Sequence, residues 1–100
     1  MMNVKLVKRD HEAEVYLEGR INANTATELD EYFQDIASRF DKVVLDFEKV
    51  PYISSFGLRA LRNLYVALNK KCGSFVIRNV RKEIMDVFHA TGFSMLLDFV

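Results

Sequence analysis

The sequence has 100 residues, of which 50% are hydrophobic and 12% aromatic, enough for a single folded domain over residues 1–100. Its fourteen basic and fourteen acidic side chains leave no net charge, which argues against binding to nucleic acid or to a membrane surface. Because Cys72 is the single cysteine of the sequence, the chain cannot form an internal disulfide. The chain opens without the apolar segment of a signal peptide, and no apolar run could span a bilayer. We therefore expect a cytoplasmic protein without membrane insertion.

Two segments of alternating polarity begin the chain. The first, NVKLVKRD, places Val4 and Leu6 on one face, and the second, HEAEVYLEGR, repeats the alternation. This period of two is typical of β-strands. Only Asp10 and His11 separate the segments, so we expect an antiparallel hairpin.

Three later segments have helical spacing. The first helix is predicted from about Thr25 to Arg39, with Asn24 or Thr25 as its cap. The second is predicted to begin near Phe56 and to end at Gly73, and the third, VRKEIMDVFHATG, to end at Gly92.

Apolar runs separate these helices. KVVLDF is nearly continuous, as in a strand covered on both faces, SFVIRN indicates another buried strand, and SMLLDF a short strand or turn. The predicted order is ββαβαβαβ, which places the chain in the α/β class. We expect a mixed, mostly parallel β-sheet with helices packed against it.

No pattern of residues predicts catalysis or a cofactor. A Gly-rich phosphate loop is missing, and His11 and His89 lie in different elements, so neither a nucleotide nor a metal is expected. His11 is interpreted as a turn residue, His89 as a partly buried helix residue and Cys72 as a small packed side chain. The sequence therefore favours a binding protein over an enzyme, with no catalytic residue.

Two adjacent serines stand out in the segment YISSFGLRAL. Ser54 and Ser55 follow a buried strand and precede a helix, at the edge of the sheet where functional sites collect. Serine is a preferred helix cap, and spacing alone favours that role. A single cap needs one hydroxyl, however, so one serine is surplus. Gly57 in the first turn would let another surface approach closely.

The segment LDFEKVPYISSFGLRAL resembles the signature of STAS domains, in particular the bacterial anti-sigma factor antagonists. VYLEGRINANTATELDEYF is similar to the family's second strand, loop and first helix, and GSFVIRNVRKEIMDVFHATGFSMLLDF to its end. The resemblance places Ser55 at the phosphorylated position, with Ser54 as the alternative. Ser54 and Asn22 stand where the family often has Asp, and Phe56 where it usually has a small residue.

The resemblance implies a phosphoprotein in signal transduction. It would bind an anti-sigma factor that is also a serine kinase, so regulating sigma-dependent transcription, and a phosphatase would reset it. The protein itself would be a monomer or weak dimer. The implied partner-binding residues surround the helix start: Asn22, Asn24, Thr25, Ser54, Ser55, Gly57 and Arg59.

Two other functions remain open from the sequence. Stand-alone STAS proteins also occur as constitutive subunits of ABC-type lipid transporters or as signalling scaffolds, where the two serines would be only a cap and a contact. An enzyme or small-ligand binder is the third class, and the chain offers it only the same helix start.

Overall fold

The computed structural model describes residues 2–100 and confirms the predicted order of elements, with one short helix added before the last strand. The strands are β1 (Asn3–Arg9), β2 (Glu12–Glu18), β3 (Lys42–Lys49), β4 (Ser74–Arg78) and β5 (Asp98–Phe99). The helices are α1 (Ala23–Arg39), α2 (Ser55–Lys70), α3 (Lys82–Thr91) and α4 (Phe93–Leu96).

All five strands form one sheet in the order β1-β2-β3-β4-β5. β1 pairs antiparallel with β2, and the remaining pairs are parallel. The predicted hairpin turn is confirmed, and Asp10 adopts the left-handed conformation there, with φ 56°. Because the parallel strands β2, β3 and β4 point the same way, their carboxyl ends meet at one edge of the sheet.

The hydrophobic core lies between one face of this sheet and the helices. Register places Val15, Leu45 and Ile77 side by side on that face, and all three are fully buried. Phe33 of α1 and Leu61 of α2 belong to the same cluster. Among residues 2–100, no helix is long and apolar enough to cross a membrane.

The opposite face of the sheet is polar and only partly covered. Val44 and Val76 are half-buried there, so the expectation that β3 is covered on both faces is wrong. The next row on this face, two residues further along each strand, consists of Tyr16, Asp46 and Arg78, and these three side chains form a hydrogen-bonded row instead of an apolar layer. Arg78 Nη2 donates to Tyr16 Oη at 2.7 Å, and Arg78 Nε to Asp46 Oδ2 at 3.1 Å.

Three expectations about single residues are also wrong. α2 ends at Lys70, before Gly73, and the left-handed residue of the turn is Cys72, with φ 60°. The Cys72 side chain is exposed at that turn, not packed. His89 is exposed because Ile84 and Phe88, one helical turn apart, define the buried side of α3. Gly92 is the left-handed C-cap of α3 as predicted, with φ 84°.

The carboxylate of Asp46 accepts three hydrogen bonds on the polar face. Burial raises its pKa, but bonds from the Glu48 N–H and from Asn79 and Arg78 outweigh burial, so the pKa lies below its ordinary value of 3.8. A carboxyl with a depressed folded pKa stabilises the protein above its unfolded pKa. That contribution is lost as the pH falls through the folded pKa.

We predict that Asp46→Asn lowers the free energy of unfolding by about 1–3 kcal/mol at neutral pH, because hydrogen bonds to a charged group are lost. Urea unfolding at several pH values measures this, with exposed Asp86→Asn on α3 as the control. The difference between wild type and Asp46→Asn should be complete above pH 3.8 and shrink below it. A difference independent of pH would contradict this account.

Candidate functional site

A short β-bridge joins the two loops that lead into α1 and α2. Ile21 and Ile53 pair in parallel outside the main strands, and both are buried. Ile21 N donates to Tyr52 O at 2.9 Å, and Ser54 N donates to Ile21 O at 2.8 Å. Each bridge residue immediately precedes the N-cap of a helix. The bridge therefore sets the N-termini of α1 and α2 side by side.

Asn22 caps α1, so the predicted caps Asn24 and Thr25 are wrong. Asn22 Oδ1 accepts from the backbone N–H groups of Asn24 and Thr25, each at 3.0 Å. In return, Thr25 Oγ1 accepts from Asn22 N at 2.9 Å, which completes a capping box. Thr25 Oγ1 also donates to Arg20 O at 2.8 Å, and the residue is buried. Thr25 thus supports the loop from inside, while Asn24 is exposed.

Ser54 caps α2, and the Ser55 hydroxyl takes no part in the cap. Ser54 Oγ accepts from Gly57 N at 3.3 Å, and Ser54 O accepts the first helical bond from Leu58 N at 3.0 Å. Ser55 is the first residue of the helix and is exposed. Within residues 2–100, its hydroxyl makes no hydrogen bond of its own. The capping interpretation therefore holds for one serine of the pair, and the other hydroxyl is accessible at the helix start.

Gly57 faces the bridge rather than the solvent. A Cβ atom added to it would lie 2.5 Å from Ile21 Cγ2 and 2.7 Å from Ile53 Cγ1. The surface that approaches Gly57 closely is therefore the bridge of the same chain. Like Thr25, Gly57 supports the site from beneath.

Aromatic side chains flank Ser55 on the surface. Phe56 is 53% exposed and Tyr52 39% exposed. The Arg20 guanidinium carbon lies 4.3 Å from the centre of the Tyr52 ring, a cation–π contact. Sequence analysis did not assign Tyr52, Phe56 or Arg20 to the site. The sequence does contain a pattern that indicates the two aromatic residues. They lie close to the serines, in a loop and a first helical turn that cannot be fully buried.

Acidic side chains are missing from the first turns of both helices at the site. The partial positive charge of each helix N-terminus is therefore not compensated there. Arg59 is exposed one turn after Ser55. No group of His, Cys, Asp and Glu able to hold a metal occurs in the described part of the chain. The arrangement suits contact with a protein surface or an anion.

Comparison with known proteins identifies relatives of this chain. The model of the STAS domain matches residues 3–99. BtrV of Bordetella bronchiseptica, named as a candidate anti-sigma factor antagonist, is 32% identical over 81 residues, which cover 77% of this chain and 67% of BtrV.

Solved structures of other proteins share the fold. An anti-sigma factor antagonist from Mycobacterium paratuberculosis superposes with a TM-score of 0.87 at 22% identity, covering 99% of this chain and 85% of that one. The Bacillus cell fate determinant SpoIIAA, solved in its phosphorylated form, gives 0.76 at 14% identity, covering 100% and 91%.

The two serines should differ in their effect on stability. Ser54→Ala removes the cap of α2 and is expected to lower the free energy of unfolding by about 1 kcal/mol. Ser55→Ala removes an exposed hydroxyl without a partner, so its effect should stay within about 0.5 kcal/mol. Chemical denaturation of the two variants measures this. Equal losses, or a larger loss for Ser55→Ala, would contradict the assignment of Ser54 as the cap.

Gly57→Ala should destabilise the protein although alanine is the better helix former. In an open helix the change would stabilise by up to about 1 kcal/mol. Here the added methyl group overlaps the bridge, so we expect a loss of about 1–3 kcal/mol. Thermal and urea unfolding would be compared with Asn69→Ala, an exposed position on the same helix. A more stable Gly57→Ala protein would show that the bridge does not constrain the helix start.

Proposed function

The chain belongs to the STAS domain family, of the anti-sigma factor antagonist type, and we propose that phosphorylation of Ser55 switches its binding to an anti-sigma factor. The unmodified protein binds an anti-sigma factor that is also a serine kinase and thereby frees a sigma factor. The kinase transfers phosphate to Ser55, the complex dissociates, and a phosphatase restores the binding form. In this proposal the protein is a binding module rather than an enzyme.

One observation carries the proposal: Ser54 performs the structural task of the serine pair, and Ser55 performs none within the described residues. Ser54 Oγ accepts from Gly57 N, whereas Ser55 is exposed in the first turn. A kinase can therefore reach the Ser55 hydroxyl without breaking the cap. The Ser54 side chain is half-buried and its oxygen already accepts from Gly57 N, so a kinase reaches it less easily, and we assign the switch to Ser55.

The helix start can accept a phosphate without unfolding. Phosphorylation adds about −1.5 to −2 charges at neutral pH. The N–H groups of a helix N-terminus favour an anion, and no acidic side chain occupies the first turn of α2. SpoIIAA, which has the same fold, has been solved in a phosphorylated form. The effect of the phosphate then falls on the partner rather than on the domain.

The proposed binding surface consists of the exposed residues around the paired helix starts. Ser55 lies near its centre, and Phe56 and Tyr52 provide apolar area. A partner surface complementary to the uncharged serine would have to desolvate the phosphate, or the two would repel each other. A penalty of about 2.8 kcal/mol weakens binding a hundredfold. The other exposed or half-exposed members of the surface are Arg20, Asn22, Asn24, Ser54 and Arg59.

The test is binding to a kinase-type anti-sigma factor from the same genome, with and without ATP. Wild type, Ser55→Ala and Ser55→Asp would be compared by calorimetry and intact mass. We expect ATP to add one phosphate to wild type, Ser55→Ala to stay unmodified and bound, and Ser55→Asp to bind at least about tenfold more weakly.

Ser54→Ala serves as the control, and it should still gain the phosphate. Phosphorylation of Ser54 in place of Ser55 would reassign the switch. If no phosphate is added and all forms bind a partner equally, the serines do not act as a switch, and a constitutive subunit becomes the better account.

A further inference from the structure

A groove between α1 and α2 begins beside Ser55 and follows α2 along its length. It consists of two contiguous cavities that share Asp30. The first has a volume of about 160 Å³ and is lined by Phe56, Arg59 and Ala60 of α2, with Ala26 and Thr27 of α1 on the other side. The second has about 350 Å³ and lies beside the later turns of α2, between Arg62 and Lys70.

The charged side chains that line this groove are mostly basic. α2 carries three basic residues and no acidic one. Arg59, Arg62 and Lys70, which we term the basic row, are exposed, and none of them forms an ion pair within residues 2–100. The only acidic residue lining either cavity is Asp30, and its carboxylate already accepts from Asn63 Nδ2 at 3.3 Å. Three cations therefore face one partly satisfied anion.

We propose that this groove binds an acidic amphipathic segment of the partner protein, an inference that rests on the proposed function of Ser55. Carboxylates of the segment pair with the basic row, and its apolar side chains contact Phe56, Val66 and Ala67. From Phe56 to Lys70 the helix rises about 21 Å, which matches a helical segment of about 14 residues. Charge complementarity selects an acidic occupant over a basic or a purely apolar one.

The groove also gives the phosphate a second way to act. Residues four positions apart on a helix are neighbours on its surface, so Ser55 and Arg59 can interact. A phosphate on Ser55 would compete with a carboxylate of the partner for Arg59. Phosphorylation would thereby weaken the end of the groove that lies beside the switch, in addition to blocking contact with Ser55 itself.

The test is the double charge reversal Arg62→Glu/Lys70→Glu, at two residues of the basic row outside the surface proposed around Ser55, measured for affinity to the same-genome anti-sigma factor at several salt concentrations. Lys5→Glu/Lys8→Glu is the matched control, since it makes the same change in net charge with exposed residues of β1. We expect at least about tenfold weaker binding and a smaller salt dependence for the α2 pair. The control should stay within about twofold, and circular dichroism should show both variants folded.

The outcomes separate this inference from the proposed function. If Ser55 controls binding but the two charge reversals have equal effects or none, the groove proposal is overturned and the switch stands. If the anti-sigma factor does not bind the wild-type protein, the switch fails, and the groove is judged with a peptide probe.

The probe is a helical peptide of about 14 residues with leucine on one face and glutamate on the other, titrated into labelled protein. Resonance shifts confined to α2 and the facing side of α1, missing with the lysine counterpart of the peptide, would support the groove. No such shifts would overturn it.

Discussion

The bridge between Ile21 and Ile53 is the contact on which the site depends. Ile21 donates one backbone hydrogen bond to the loop before α2 and accepts one from Ser54, and this fixes the starts of α1 and α2 side by side. Gly57 is required because any side chain there would occupy the space of the two isoleucines. A buried backbone contact thus determines which serine caps the helix and which one reaches the surface.

Both helices that meet at the bridge begin with a neutral cap. Asn22 and Ser54 satisfy backbone N–H groups without supplying a negative charge, and neither first turn contains an acid. The uncompensated partial charge of two adjacent N-termini makes this edge of the sheet receptive to an anion. In this account phosphorylation supplies that anion, and the same positive character continues along α2 as the basic row.

Much of this arrangement could be predicted from the sequence, since strand and helix periods are strong local signals. The hairpin, the buried faces and the helix start at the serine pair all follow from spacing. The cap Asn22 could not be distinguished from Asn24 by spacing, because several cap-forming residues are adjacent. That Thr25 and Gly57 lie beneath the surface depends on the Ile21–Ile53 bridge, a contact between segments about thirty residues apart that no local pattern indicates. The polar face of β3 was missed because Asp46 stands alone in an apolar run.

The measurement that tests the central claim most directly uses protein with phosphoserine incorporated during translation. Calorimetric titration of the anti-sigma factor would compare unmodified protein, phosphoserine at position 55 and phosphoserine at position 54, with stability measured in parallel. The account predicts that phosphoserine at 55 leaves the fold stable and weakens binding about a hundredfold. At position 54, where the side chain is half-buried, it should weaken binding less than at position 55. Unchanged affinity with phosphoserine at 55 would contradict the account.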